Sequence, residues 1–324
     1  MISIIIPVYN EEENVIPLNN RLKAVLENLG EYEIIFVDDG SKDNTFQKLS
    51  ECAKADSRVK IVKFRRNFGQ SAAISCGFDQ ATGEIMITMD ADLQLDPSDI
   101  PGMVKQIQEG SDVVCGWRKQ RKDPFLTKKA PSRFFNWLTS KVTGLKIHDI
   151  GTPMRAYTAE VVNDISGNLY GELHRYIPVL AAWKGYKISE IEVNHNPREH
   201  GKSKYGSSRL LRGFFDLISV YFLEKYLSRP LHLFGTLGLL SLGLGMAISI
   251  YLGFLRIFYL EPLGDKPLFM LGVLMVVFGA QFITLGLLGE MITRFQHENN
   301  KKKPYEIKTC VNFEKKPTIV SFSE

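Results

Sequence analysis

Short, almost uncharged runs rich in Val, Ile and Met recur through the first third of the chain, at 2–8, 32–37, 59–64, 85–89 and 112–115. They lack the polar alternation of a half-exposed sheet, so they predict strands buried on both faces. Between the first two runs, Val15, Leu18, Leu22, Val25, Leu26 and Leu29 repeat with the 3.6-residue period of one helix face. Helical periods return at 43–56, 70–81 and 97–109, the last opened by Pro97, where the missing N–H costs nothing. Strand and helix in alternation predict an α/β protein with a mostly parallel sheet covered on both faces. Ligands of such sheets gather at the carboxyl ends of the strands.

Beyond residue 205 the pattern changes twice. From 206 to 230, Leu210, Leu211, Phe214, Phe215, Ile218, Phe222 and Leu223 oppose Arg209, Arg212, Asp216 and Ser219, the pattern of a basic amphipathic helix lying in a membrane interface. Then 231–255 and 267–289 run without a formal charge, each long enough to cross a hydrocarbon core of about 30 Å. Pro262 and Gly264 in the short connection make the two spans a hairpin. Arg209, Arg212, Lys225 and Arg229 before it, and Arg294, Lys301, Lys302 and Lys303 after it, predict cytoplasmic flanks. Gly235, Gly238, Gly243, Gly245, Gly279, Ala280, Gly286 and Gly289 offer surfaces for close helix packing, which would include packing between copies in a homo-oligomer. Gln281 is expected to hydrogen-bond another helix, and Glu290 to pair with Arg294 four residues on.

Composition conceals this division. The 324 residues hold 40 Lys+Arg and 36 Asp+Glu, a net charge of +4, with a mean hydropathy of −0.08. Such values argue against disorder and against nucleic-acid binding. Residues 231–290, however, contain only five charged groups, Arg256, Glu261, Asp265, Lys266 and Glu290. The mean averages a charged domain with an apolar hairpin. Cys52, Cys76, Cys115 and Cys310 lack metal-site spacing and suit a reducing compartment. Met1 leads into an apolar run too short for a signal peptide, so the N-terminal part is expected to stay in the cytosol.

The strand ends carry the chemistry. After the first run stands Pro7-Val8-Tyr9-Asn10-Glu11, after the second Asp38-Asp39-Gly40-Ser41, after the fourth Asp90-Ala91-Asp92-Leu93-Gln94, and after the fifth Gly116-Trp117-Arg118. Two carboxylates one residue apart on a rigid strand end can share one hard cation, which completes its shell with phosphate oxygens and water. The segment from Arg118 to Arg133 carries seven basic residues against Asp123 alone. Beside a membrane it would attract anionic headgroups, or act as a lid over phosphate.

These motifs, with Arg66-Asn67-Phe68-Gly69-Gln70, the stretch from Asp149 to Tyr157 and His200-Gly201-Lys202-Ser203-Lys204-Tyr205, stand in the order found in one family. The chain resembles the inverting GT-A glycosyltransferases that act on polyprenyl phosphates, the group containing dolichyl-phosphate mannose synthase and its bacterial undecaprenyl relatives. The resemblance spans residues 2 to about 206. The double-span tail ending in Leu287-Leu288-Gly289-Glu290 is similar to the bacterial aminoarabinose and glucosyl transferase branch.

The resemblance implies a GT-A catalytic domain at 1–205, the interfacial helix at 206–230, the transmembrane hairpin at 231–290 and a cytoplasmic basic tail at 291–324. It implies that Pro7, Tyr9, Glu11, Val37 and Asp39 line the base and ribose pocket, with Asp39 accepting hydrogen bonds from the base. Asp90 and its neighbour Ala91 would face ribose and diphosphate, and Asp92 and Gln94 would hold Mg2+ or Mn2+. Arg118 would meet the diphosphate or the acceptor phosphate, with Arg198 and Lys204 near the phosphates. Asp149 is a catalytic candidate, as general base or as an organiser of the site. A phosphate monoester has its second pKa near about 6 and is already largely ionised at neutral pH, so it needs no base.

The implied activity is transfer of one sugar, with inversion, from a UDP-sugar or GDP-mannose to a polyprenyl phosphate at the cytoplasmic face of a plasma membrane. Three rivals are weighed against it. A processive polysaccharide synthase would need a Gln-x-x-Arg-Trp motif and more spans. A dinucleotide-dependent dehydrogenase would need a Gly-x-Gly-x-x-Gly turn where Pro7-Val8-Tyr9-Asn10-Glu11 stands. A non-catalytic membrane scaffold would not need Asp39, Asp90, Asp92 and Arg118 together.

Overall fold

The structure, a computed structural model, describes residues 1–119, 140–141, 144–145, 147–169, 171, 173–197, 230–260, 262, 267–299 and 303–313. They fall into two compact units, one formed by the residues before 198 together with 303–313, the other by two long helices. Arg198, Lys204, the amphipathic segment 206–229, the basic loop from 120 to 133, the Glu290–Arg294 side chains and the tail beyond 313 lie outside the described residues.

In the first unit the buried runs become strands: β1 (Ile2–Val8), β2 (Tyr32–Asp38), β3 (Val59–Phe64), β4 (Ile85–Thr88) and β5 (Val113–Trp117). Between them lie α1 (Val15–Leu26), α2 (Thr45–Ala55), α3 (Gln70–Gln80) and α4 (Ile100–Gln108). β1 is parallel to β2 and to β4, and β2 to β3. Side chains alternate between two cores, as a period of two requires. Ile4, Ile6, Ile34 and Phe36 pack with α1 and α4 on one face, while Ile35, Val37, Val62 and Phe64 meet Ala72, Ala73 and Cys76 of α3 on the other. Each such aliphatic side chain contributes about 1.5–3 kcal/mol on burial. Both faces are covered, so these strands hold few polar residues; the exceptions in β3, Lys60 and Lys63, are half-buried and pair with Glu33 and Asp38.

Three further strands are less visible in sequence. β6 (Arg155–Thr158) is antiparallel to both β4 and β5, and β7 (Ile188–Glu192) is parallel to β5. The short helices α5 (Ala159–Ile165) and α6 (Ile177–Trp183) connect them. β8 (Ile307–Val311) pairs antiparallel with β3. The segment expected as a basic tail therefore returns to the sheet after the hairpin. Tyr305 stacks on Phe64 with centroids 5.2 Å apart and donates its hydroxyl to Asp79 at 2.6 Å. Asn312 Nδ2 donates to the carbonyls of Ala53 and Val59 at 2.8 and 2.9 Å. The strand order is β7-β5-β6-β4-β1-β2-β3-β8. The chain runs from β1 towards β3 on one side and resumes with β4 on the other, so the topological switch, where sheets of this kind bind ligands, lies between β1 and β4.

The second unit is α7 (Pro230–Tyr259) against α8 (Pro267–Asn299). Leu231–Tyr259 and Pro267–Gly289 are each long and apolar enough to cross a membrane. Glycines set how closely the pair approaches. A Cβ on Gly238 would stand 2.8 Å from the Gly279 carbonyl oxygen, and one on Gly245 2.8 Å from that of Gly272. Ser241 Oγ donates to the Met275 carbonyl at 2.8 Å. These small surfaces serve packing within the hairpin itself, and Gln281 is exposed on it.

Candidate active site

The carboxyl ends of β1, β2 and β4 converge on loops that hydrogen-bond to one another. Asp39, 4% exposed, accepts the amides of Phe68 and Gly69 at 2.6 and 3.0 Å. Burial raises its pKa above the ordinary range despite those two bonds, with Asp38 adding to the rise. The next residue, Gln70, donates Nε2 to Asp90 Oδ1 at 2.8 Å. The loop from β3 to α3 thus ties the β2 end to the β4 end. Gly40 makes the crossing possible: its φ is +73° and a Cβ there would stand 2.6 Å from the Arg66 carbonyl carbon.

At β4 the chain turns through Leu93, a buried leucine with φ +59°. Left-handed backbone at a residue this bulky costs on the order of 1 kcal/mol and recurs where a turn presents functional groups. Here it brings Asp92 Oδ1 onto the Gln94 amide at 3.2 Å. Asp92 is 9% exposed. Carboxylates from Asp90 and Asp92 and the amide oxygen of Gln94 are hard donors. Among the described residues no group of three or more His, Cys, Asp or Glu could hold a metal alone. A divalent cation that draws much of its shell from substrate phosphates and water needs no more, so the donor set fits Mg2+ or Mn2+.

Beyond β5, Arg118 and Asp149 form a bidentate pair, Nε to Oδ2 at 2.7 Å and Nη2 to Oδ1 at 3.0 Å. Their side chains are only 10% and 4% exposed. Arg155, on β6, secures the turn after Asp149 by donating to the carbonyl of Ile150, and to those of His174 and Arg175. In the sequence Arg155 stands out only as a residue that Asp149 could position. Its buried position on a four-residue strand explains that: only pairing with β4 and β5 brings it beneath this turn.

A cavity of about 520 Å³ opens at the ends of β1 to β3. Tyr9, Gly40, Ser41, Lys42, the stretch 63–67 and Lys308 of β8 line it, and Asp90, Asp92 and Asp149 are not among its walls. Five of the lining residues are basic. Lys63 pairs with Asp38 at 3.4 Å and Arg65 with Glu306 at 3.9 Å. Two residues expected at the donor site, Val37 at the base and ribose and Ala91 beside Asp90, turn their side chains into the protein, so only their backbone is available to a ligand. Val37 is fully buried in the cluster under α3, and Ala91 lies in the core on the other side. For Val37 the reason is strand alternation in a sheet covered on both faces, whereas Ala91 lies in the bend after β4. Glu11 accepts Asn14 Nδ2 at 2.7 Å, and its carbonyl receives the amides of Asn14 and Val15, so it also secures the start of α1.

Residues 3–166 match the family described as Glycosyl transferase family 2. The chain is 40% identical over 312 residues to dodecaprenyl-phosphate galacturonate synthase of Rhizobium johnstonii, covering 95% of this chain and 92% of that one. It is also 40% identical over 296 residues to undecaprenyl-phosphate 4-deoxy-4-formamido-L-arabinose transferase of Pseudomonas fluorescens, covering 90% and 84%. Among solved structures, glucosyl-3-phosphoglycerate synthase of Mycobacterium tuberculosis, crystallised with Mn2+, UDP and glucosyl-3-phosphoglycerate, superposes with a TM-score of 0.53 at 16% identity. That match covers 69% of this chain and 79% of the other, and it reports the fold.

Proposed function

From the premise that this chain belongs to glycosyl transferase family 2 and is a glycosyltransferase, we propose that it transfers one sugar from a nucleoside diphosphate sugar to a polyprenyl phosphate, with inversion, at the cytoplasmic face of a membrane. The observation that carries this reading is the convergence of strand-end carboxylates around the β1–β4 switch, with the buried Arg118–Asp149 pair after β5, two strands from β4 in the same sheet, in a chain with two helices of membrane-crossing length. The named relatives act on polyprenyl phosphates, which supports the acceptor class.

In this reading the nucleoside occupies the Tyr9 cavity. Its cationic lining attracts the anionic donor, and Asp39 lies behind the Phe68–Gly69 turn. Pro7, Glu11 and the backbone of Val37 shape its edge. Asp90, Asp92 and Gln94 face the diphosphate, and Asp92 and Gln94 hold the divalent cation. When bound, that ion supplies Lewis-acid stabilisation of the leaving nucleoside diphosphate. Arg118 receives phosphate. Its guanidinium spends two N–H groups on Asp149, so its plane is fixed before substrate arrives. An acceptor phosphate held in line with the anomeric carbon attacks without prior proton removal, and positioning supplies much of the rate. Asp149 therefore acts as the organiser of Arg118. Arg198 and Lys204 add charge for the phosphates. UDP-sugars are the favoured donors, on the likeness of the hairpin to the bacterial branch.

Substituting Asp92 tests the metal assignment. Asp92→Ala should lower turnover at least about 100-fold at saturating Mn2+, the scale on which a lost electrostatic stabiliser of the transition state is felt. Near-normal turnover by Asp92→Ala would exclude it as a ligand.

A further inference from the structure

We propose that Glu190, on β7, is the positioning residue that sets the orientation of the Arg118–Asp149 pair; this rests on the role given to that pair above. β5 and β7 run parallel with Cys115 opposite Glu190, and β5 ends at Trp117, so Arg118 leaves the sheet beside the strand that carries Glu190. The turn at 148–149 lies across both strands. Glu190 Oε1 accepts the His148 amide at 2.8 Å and the Asp149 amide at 3.2 Å. Oε2 accepts the His148 amide at 2.9 Å and stands 2.8 Å from His148 Nδ1. The His148 ring in turn stacks on Trp117, centroids 4.2 Å apart and planes 17° from parallel.

One carboxylate thus grips two successive backbone N–H groups, and an aromatic face from the neighbouring strand holds the same turn. The Asp149 side chain leaves this turn and takes both guanidinium nitrogens of Arg118. A carboxylate is the side chain suited to that grip. It accepts at both oxygens, whereas a glutamine would turn an NH2 group towards one of the donors. Electrostatics alone would not place a second carboxylate here, since it lowers the positive potential that Arg118 offers a phosphate. The geometry assigns Glu190 to orientation. A reacting group displaced by about 1 Å can lose about 100-fold in rate.

The test uses the full-length protein in detergent, with Mn2+, undecaprenyl phosphate and either UDP-galacturonate or UDP-4-deoxy-4-formamido-L-arabinose, whichever the wild type turns over. Glu190→Ala should lower kcat about tenfold to hundredfold with donor KM within about threefold, and Glu190→Gln should fall between it and wild type. Adding Glu190→Ala to Asp149→Asn should change kcat by less than about twofold, because the position being set no longer matters. Hydrogen exchange over residues 147–151 should accelerate in Glu190→Ala. It should stay unchanged in Glu192→Gln, whose carboxylate, among the described residues, pairs with the exposed Lys119. If Glu190→Ala does not fold, Glu190→Gln carries the same comparison.

Normal kcat in the Glu190 variants beside an impaired Asp149→Asn would overturn the inference and leave the pair's role intact. Additive losses in the double variant, or unchanged exchange over 147–151, would also overturn it. An Asp149→Asn enzyme at wild-type kcat would remove the role of the pair, and the inference with it.

Discussion

Single residues show how close packing and buried polarity hold the loops in place. Gly40→Ala inserts a methyl group against the backbone of Arg66 and Asn67 at a positive φ, where no flexible side chain can yield. It should cost about 2 kcal/mol or more and loosen the loop that Asp39 holds. Thermal unfolding should register the loss, together with weaker UDP binding in calorimetry. His174 gives a pH signature. Its burial, and the charges of Arg175 and Arg155, hold the imidazole well below its usual range. Ser71 Oγ accepts the His174 amide at 3.3 Å and faces Nδ1 at 2.7 Å, so its hydroxyl donates to the neutral ring. The unfolded ring gains a proton near about pH 6.5 while the folded one does not. This contribution is therefore complete above that pH and is lost as pH falls below it, by up to about 1.4 kcal/mol per unit. His174→Asn should flatten the fall of the melting temperature between pH 6.5 and 5.5. An unchanged slope would contradict the assignment.

At the scale of elements, β8 is the piece most open to test. It is short, stands at the sheet edge and belongs to a part of the chain separated from β3 by the whole hairpin. Asn312 holds its end through two short bonds to carbonyls and a left-handed backbone that asparagine tolerates. Asn312→Ala should cost about 1–3 kcal/mol, since two buried carbonyls lose their donor. Limited proteolysis after residue 303 should then be faster than in wild type. The element scale also shows what the sequence could reveal. Runs such as Ile2–Val8 are legible because a strand buried on both faces needs apolar residues at every position. β6 begins with Arg155, β7 mixes Ser and Glu with Ile without a period of two, and β8 carries Lys308 in a basic stretch. Each is an edge or antiparallel strand whose partners, not its composition, make it a strand. The carboxylates at strand ends were equally legible, because proximity to a predicted strand suffices to place them. The burial of the Val37 and Ala91 side chains is not legible, because motif membership does not say which face a side chain takes. Glu190 was invisible for a third reason: it lies some forty residues from Asp149 and becomes its neighbour only through the pairing of β7 with β5.

The molecule as a whole joins two solvents in one chain. The first unit buries its apolar residues inside, whereas the hairpin exposes Leu239, Leu240, Ile250, Phe258 and Met270 on its surface. An exposed apolar surface of that extent is stable against lipid and not against water. A near-neutral total charge and a mean hydropathy near zero are the sum of these two opposite designs. A glycosyltransferase of this kind has reason to combine them if its acceptor is a phosphate on a lipid chain, because the chain stays in the bilayer while its phosphate reaches a polar site. The central claim is therefore the acceptor, and product formation tests it most directly. Purified full-length protein, Mn2+ and a panel of UDP-sugars and GDP-mannose should release nucleoside diphosphate only when undecaprenyl phosphate is added. Mass spectrometry should then find a lipid phosphate heavier by one sugar residue. Release at the same rate without the lipid, or a product carrying several sugars, would contradict the account.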